Sequence, residues 1–283
     1  MRALYLIPGD GVSQLQALPA VAATASQLGF AMQVACPAAA APVWSLLPAV
    51  EKTIPFPFGA ASLADWANLL GAVRDPDFQA CINLAGGPQV DLMLSMSHIP
   101  TRVAAGGFSA TTKVQPPQQG WPGQRLAAYL RPIGVNLEAE AYRLPLPRAA
   151  LDEATAAQPA GQGPLLLLAP SGEAADWPEP RWRELPGHIR PRLPDLRSSQ
   201  IDPLPSLTGE SLRSRAATVA VSDVVLSSDP LTVELALLCG VPVVALGLAP
   251  DQLPQRQGVT GLGLPHQLKE LGSDDVLAAL GLG

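Results

Sequence analysis

Two turns that carry polar residues could bind a ligand or take part in catalysis. Residues 4–11 and 165–172 are both apolar runs that lead into turns containing Pro and Gly. Each pattern predicts a turn at the carboxyl end of a first strand, which is where ligands bind in open α/β sheets. Ser171 and Gly172 lie where backbone amides could hold a phosphate, although Pro-Ser-Gly is also an ordinary turn sequence. In the first turn, Asp10 and the glycine after it are typical of tight-turn geometry.

The other candidates for chemistry are weaker. Residues 86–88 are Gly-Gly-Pro, but neither a GxGxxG nor a Walker sequence is present, so an ordinary turn is favoured over a phosphate loop. Ser227, Ser228 and Asp229 have no matching histidine, which argues against a hydrolase triad. The histidines and cysteines are widely separated without metal-ligand spacing, so we expect no metal site: His98, His188, His266, Cys36, Cys81 and Cys239.

The first half of the chain alternates apolar runs of strand length with helical patterns. Gly29 is a plausible C-cap for the first helix, and Ser62 is the expected N-cap of a later one. The succession βαβαβαβ predicts a parallel sheet with right-handed crossovers. The predicted strands span residues 3–7, 30–35, 50–54, 78–84 and 102–105, and the predicted helices span residues 15–28, 37–47 and 62–73.

A segment rich in Ala, Gln and Gly at residues 151–163 marks the predicted domain boundary. It separates an α/β domain at residues 1–150 from a second α/β domain at residues 164–283. In the second domain, apolar runs predict strands over residues 164–169, 219–226 and 241–246. Residues 196–201 could form one short edge strand inside a Pro-rich stretch that has no clear period.

The composition supports two folded domains and limits the classes of partner. The chain has 283 residues, of which 48% are hydrophobic and 15% charged, so each half has enough apolar material for a core. The formal net charge of −6 argues against nucleic acid and anionic membrane surfaces as partners. The apolar stretch 234–249 is too short and too interrupted to span a membrane. We therefore expect a cytoplasmic protein with reduced cysteines and no transmembrane segment.

Residues 224–247 resemble a signature of glycosyltransferase family 9, which contains the bacterial heptosyltransferases. They read Val-Val-Leu-Ser-Ser-Asp-Pro-Leu-Thr-Val-Glu-Leu-Ala-Leu-Leu-Cys-Gly-Val-Pro-Val-Val-Ala-Leu-Gly. In that family a strand leads to Asp-Ser-Gly-Pro-Met-His, then to a helix and to Gly-Val-Pro-Val. Three further segments fall in matching order, at residues 1–20, 82–108 and 169–182. The resemblance implies the GT-B fold, in which two Rossmann-like domains face each other across a cleft, here with a shortened C-terminal domain.

Most side chains that the family's chemistry requires are replaced. The resemblance places the family's general base, a carboxylate in the first loop, at Ser13. A serine hydroxyl cannot accept a proton at neutral pH without a base of its own. Asp10, three residues earlier, could substitute as a displaced base, although the turn role is favoured. The family's basic residue before Trp-Pro, which helps to hold the sugar nucleotide, is replaced by Ala175.

The start of the helix after residue 226 also departs from the family pattern. Its first amides would face the pyrophosphate of a nucleotide sugar, next to Ser228 and Asp229. Asp229 followed by Pro230 is also a favourable N-cap and first helical residue that needs no ligand. Glu234 replaces the family's histidine, and a carboxylate about 5 Å from a phosphate charge would cost roughly 3 kcal/mol per charge pair at an effective dielectric constant of about 20. The carboxylate could instead point into solvent.

Two functional hypotheses follow. The first is a transferase that moves a sugar from a nucleotide-sugar donor to a glycan or lipid-linked acceptor, with Asp10 as base and no other cofactor. The second is a pseudo-glycosyltransferase that no longer transfers sugar and acts as a binding or assembly partner in a protein complex. The lost base, the lost cation and the altered helix start favour the second on physical grounds, whereas the family resemblance favours the first.

Overall fold

The computed structural model describes residues 1–74 and 77–283 and divides into two compact units. The first unit contains Met1–Ala141 with Leu207–Gly209, and the second contains Tyr142–Ser206 with Glu210–Gly283. The division thus falls ahead of the Ala-, Gln- and Gly-rich segment 151–163. One contact that ties the early part of the second unit in place is the hydrogen bond from the Leu144 amide to the Leu238 carbonyl, at 2.9 Å.

The first unit contains a six-stranded parallel sheet in the order β3-β2-β1-β4-β5-β6. The five predicted strands are present, and a two-residue strand, β6, extends the edge. The order reverses between β1 and β4, so the loops after these two strands diverge and leave room for a ligand. The strands are β1 Arg2–Leu6, β2 Ala31–Cys36, β3 Val50–Pro55, β4 Phe78–Asn83, β5 Thr101–Ala104 and β6 Thr112–Lys113.

Helices cover the first sheet largely as the sequence predicts. Gly29 ends the first helix in the left-handed region at φ 65°, and Ser62 caps the second through a capping box with Asp65. The predicted helix over residues 37–47 is a 3₁₀ helix, Ala38–Leu46, in which Pro42 cannot donate an α-helical hydrogen bond. The α-helices are α1 Gly11–Leu28, α2 Leu63–Val73, α3 Pro88–Met96, α4 Pro122–Arg125 and α5 Ala127–Leu130, with further 3₁₀ turns at Arg131–Ile133 and Ala139–Ala141.

The second unit contains a five-stranded parallel sheet in the order β11-β10-β9-β7-β8. The possible edge strand over residues 196–201 is confirmed as β8. The strands are β7 Leu165–Ala169, β8 Arg197–Gln200, β9 Val224–Ser227, β10 Val243–Leu246 and β11 Val259–Leu262. The α-helices are α6 Arg148–Ala156, α7 Glu179–Ile189, α8 Gly209–Ala220, α9 Pro230–Cys239 and α10 Ser273–Ala279, with 3₁₀ turns at Pro250–Gln252 and Pro265–Gln267.

The predicted strand over residues 219–226 begins too early. Val219 and Ala220 are the last residues of α8, and β9 begins only at Val224. Val219 is buried together with Leu212 and Ala216, which are spaced as one face of a helix. Strand β11 was not predicted, because its mixed sequence Val-Thr-Gly-Leu has no strong strand signal.

The second sheet has fewer strands than the first on one side of its first strand. Two strands, β2 and β3, follow β1 outward, whereas within the described chain β8 alone lies outside β7. The Pro-rich stretch at residues 191–205 contributes this single strand. The second domain is therefore a shortened α/β domain, as the sequence predicts.

Replacing Gly29 by Ala should lower the free energy of unfolding by about 1 kcal/mol. An added Cβ meets no neighbouring atom within 4 Å, so the cost arises from the left-handed backbone and not from a clash. Urea denaturation measures the change. Gly59→Ala is the matched control, because that glycine also has open space but lacks a positive φ. Equal losses in the two variants would contradict the prediction.

Candidate functional site

The predicted ligand-binding turns of the second unit meet at one cavity of about 170 Å³. It lies over the carboxyl ends of β7, β9 and β10, where the strand order reverses beside β7. Ser171 and Ser228 both line it, and the Ser171 amide donates to the Ser228 Oγ at 2.9 Å. Two turns that are distant in the sequence thus form the two walls of one site. Each turn already supplies a hydrogen-bond partner to the other.

The start of α9 has its amides satisfied by the protein itself. Pro230 at the first helical position has no N–H. The Leu231 and Thr232 amides donate to the two carboxylate oxygens of Asp229 at 3.3 and 3.1 Å, and the Val233 amide donates to the Asp229 carbonyl at 3.0 Å. The Asp229 carboxylate therefore lies where an external anion would bind at this helix end. This arrangement has the N-cap geometry that the Asp-Pro pair predicts.

The amides of the turn at residues 171–172 are also hydrogen-bonded within the protein. The Gly172 amide donates to the Asp176 carboxylate at 3.1 Å, and the same carboxylate accepts from the Trp177 amide at 2.6 Å. Gly172 has a φ of 71°, a conformation that favours glycine. Ser171 thus lines this cavity as expected, whereas Gly172 lines a neighbouring one, and both amides donate within the protein.

The cavity is acidic. Glu173 and Asp176 belong to its wall, and the described residues that line it include no Lys, Arg or His. A neighbouring cavity of about 470 Å³ shares these two residues and adds Glu179 and Asp202, against one cation, Lys269. The electrostatic environment on this face of the second unit therefore opposes the binding of phosphate groups.

Glu234 does not point into solvent. It lies in the second turn of α9 and is only 5% exposed, like its buried neighbours Thr232, Val233 and Leu235. The sequence left its direction open, because α9 is apolar on all sides and its pattern does not reveal which face is covered. The buried position shows that this carboxylate is part of the packed interior near the helix start.

A buried cation that the sequence did not predict lies near α9. Arg215 on α8 is 8% exposed and donates to the Thr232 Oγ1 at 3.4 Å and to the Asp202 carbonyl. Burial lowers the pKa of the Arg215 guanidinium, while the nearby Asp229 and Asp202 raise it. The sequence could have indicated this burial, because Arg215 lies between Leu212 and Val219 on the covered face of α8. Arg215 thus provides positive charge beside Asp229, and two of its nitrogens donate to the protein's own oxygens.

Asp10 and Ser13 lie together in the first unit, at the carboxyl end of β1. Asp10 is the N-cap of α1, and its Oδ1 accepts from both the amide and the hydroxyl of Ser13, at 3.0 and 2.9 Å. Gly9 precedes it with a φ of 101°, and a Cβ there would lie 2.5 Å from the Ser13 Oγ. The geometry is that of a turn and helix cap with an exposed carboxylate.

Possible metal ligands and the cysteine thiols are a further set of candidates for chemistry. Within residues 1–74 and 77–283, no three His, Cys, Asp or Glu side chains are grouped closely enough to hold a metal ion. Burial raises the pKa of the Cys36 thiol to about 11 and that of the Cys239 thiol to about 12. These thiols are therefore protonated at neutral pH. In the same part of the chain, the helices are all too short or too polar to cross a membrane.

Comparison with known proteins gives structural matches alone. No protein-family model matches the sequence, and no curated protein matches it. The structure is similar to a glycosyl transferase family 9 protein from Veillonella parvula DSM 2008, with a TM-score of 0.71, 12% identity, and coverage of 99% of this chain and 96% of that chain.

Two Escherichia coli structures are similar to the same degree. ADP-heptose lps heptosyltransferase II matches with a TM-score of 0.69 and 16% identity over 99% of this chain and 98% of that chain. Heptosyltransferase WaaC with ADP matches with a TM-score of 0.71 and 16% identity over 99% of both chains. Identities this low establish the fold alone. The chain has the GT-B fold of glycosyltransferase family 9 structures, as the sequence resemblance implied.

Proposed function

We propose that the protein is a pseudo-glycosyltransferase, which keeps this fold, does not transfer sugar, and acts as a binding or assembly partner in a protein complex. The observation that carries the proposal is the hydrogen bonding at the start of α9. Pro230 offers no N–H, and the next three amides donate to Asp229. A diphosphate would therefore find no free amide at this helix end, although such amides are the usual attraction of a helix start for phosphate.

The charges near this helix end support the same proposal. Glu173 and Asp176 line the cavity, and Arg215 donates to Thr232 and to the Asp202 carbonyl. A phosphate charge about 5 Å from one carboxylate costs roughly 3 kcal/mol at an effective dielectric constant of about 20. Since about 1.4 kcal/mol is a tenfold change in affinity, one such pair weakens a nucleotide by roughly two orders of magnitude.

A second candidate function is sugar transfer from a nucleotide-sugar donor with Asp10 as the general base. One observation favours it. The Asp10 side chain is exposed at the carboxyl end of β1, and Ser13 occupies only its Oδ1. The other oxygen, Oδ2, has no hydrogen-bond partner in the described part of the chain and could accept a proton from an acceptor hydroxyl.

Isothermal titration calorimetry with ADP, UDP and GDP tests the main proposal. We expect dissociation constants of about 1 mM or weaker for all three, because the amides are occupied and the wall is acidic. Micromolar binding of one nucleotide to the wild type would contradict the proposal, whether or not it is lost in Asp229→Ala or in Ser171→Ala. Circular dichroism of both variants verifies that they are folded.

An assay for nucleotide release from ADP-, UDP- and GDP-linked sugars separates the two candidates. We expect the wild-type rate to equal the buffer background and to be unchanged in Asp10→Asn. Asp65→Asn is the matched control, since Asp65 is also an exposed carboxylate bound to a helix cap in the first unit. A wild-type rate above background that falls by ~10²-fold or more in Asp10→Asn alone would establish Asp10 as a base and support transfer.

A further inference from the structure

The cavity of about 470 Å³ in the second unit lies beside the loops that follow β7 and β8. These two loops approach each other closely, because a Cβ added to Gly172 would lie 3.3 Å from the Pro203 Cγ. The volume lies within the range of about 300–1,000 Å³ that ligand sites occupy. The cavity is therefore large enough for one long side chain together with its peptide group.

One side chain in the wall of this cavity has a polar atom without a partner. Trp182 is 1% exposed, and its indole Nε1 finds no hydrogen-bond acceptor among the described residues. The neighbouring Trp177, whose ring meets that of Trp182 edge to face at 5.2 Å, donates from its own Nε1 to the Leu271 carbonyl at 2.9 Å. Buried indole N–H groups usually have an acceptor, so the unpaired Nε1 of Trp182 indicates a bound molecule that supplies one.

The charges in the wall indicate the sign of that molecule. Arg183 forms an ion pair with Glu179, and Arg215 lies near Asp202, so these two carboxylates are partly offset. The carboxylates of the loop after β7 form no ion pair in the part of the chain that the structure describes. Such a wall attracts a cation and repels a phosphate group. The charged residues that line the cavity are Glu173, Asp176, Glu179, Asp202 and Lys269.

Hydrogen bonds within the second unit hold both sides of the cavity in place. The Asp176 carboxylate accepts from the Gly172 and Trp177 amides, which fixes the loop after β7. Arg215 donates to the Asp202 carbonyl, which fixes the loop after β8. Because the wall is already ordered, little conformational freedom is lost when a ligand binds.

We propose that this cavity binds a lysine or arginine side chain of a partner protein. The cationic group lies among the carboxylates, and the alkyl stem packs on Pro178 and Pro203 in the wall. A main-chain carbonyl of the same partner segment accepts from the Trp182 Nε1. The inference rests on the proposed function, because it names the chemistry by which the second unit recognises its assembly partner.

Two-dimensional ¹H–¹⁵N NMR of the Trp182 indole tests the proposal directly, since Trp182→Phe assigns that resonance by its absence. The probes are the Nα-acetyl N-methylamides of L-arginine and L-lysine, and that of L-citrulline is the neutral analogue of the arginine probe. We expect saturable movement of the Trp182 resonance with at least one cationic probe, and binding of the citrulline probe weaker by about tenfold or more. The indole of Trp44, which donates to Gln14 in the first unit, should not move.

Isothermal titration calorimetry with variants measures the two interactions separately. Trp182→Phe, which keeps an aromatic ring and removes the N–H, should weaken the cationic probe about fivefold. Glu173→Gln should weaken it about threefold, as expected for an exposed charge pair. Glu184→Gln is the matched control and should leave the affinity unchanged, because Glu184 is an exposed residue of α7 outside the cavity wall. Circular dichroism verifies that the variants are folded.

A further probe separates a partner protein from a free amine as the source of the cation. n-Butylguanidine carries the cation and an alkyl stem but no carbonyl, so it should bind about fivefold more weakly than the arginine probe. Equal or tighter binding of n-butylguanidine would overturn the assignment to a partner protein.

Three other results would overturn the proposal: no saturable movement of the Trp182 resonance with either cationic probe, equal affinity for the citrulline probe, or equal losses in Glu173→Gln and Glu184→Gln. None of them changes the outcome of the titrations with ADP, UDP and GDP, which test the proposed function. Failure here and failure of the proposed function are therefore distinguishable.

Discussion

The proposed function depends on the contact between the Asp229 carboxylate and the first amides of α9. A helix start offers a few unpaired N–H groups and a partial positive charge, which together attract phosphate. In this protein the same groups are bound by a side chain of the chain itself, and proline removes one of them. The helix is thereby stabilised without a ligand. Under the proposed function, the same bonds occupy the groups that would otherwise attract the phosphates of a nucleotide.

The charged side chains near α9 are also held within the protein. Asp229 and Glu234 bring carboxylates to the helix start and its second turn, and Arg215 brings a guanidinium from α8. Buried charges are tolerated when they are paired and hydrogen-bonded. Arg215 also connects the loop after β8 to α9 through Asp202 and Thr232. The Arg215 guanidinium near the start of α9 is therefore held by contacts within the second unit.

Most of the fold could be predicted from the sequence because local signals agreed with it. Apolar runs predicted most strands of the two sheets, and Gly29 and Ser62 predicted two helix ends with their caps. The errors occurred where local signals were weak or conflicting, as for Val219, whose β-branched side chain packs on the covered face of α8. Strand β11 lacks a periodic pattern, and only its pairing with β10 makes it a strand.

The site was less predictable, because its state depends on contacts between distant residues. The sequence located Ser171, Gly172, Ser228 and Asp229, but not the hydrogen bonds that join them. Arg215 and the burial of Glu234 required the packing of α8 beside α9. The amide ¹H–¹⁵N chemical shifts of Leu231 and Thr232, followed by NMR as ADP is added, test the central claim most directly. Unchanged shifts up to millimolar ADP are predicted, whereas saturable movement of both resonances would contradict the account.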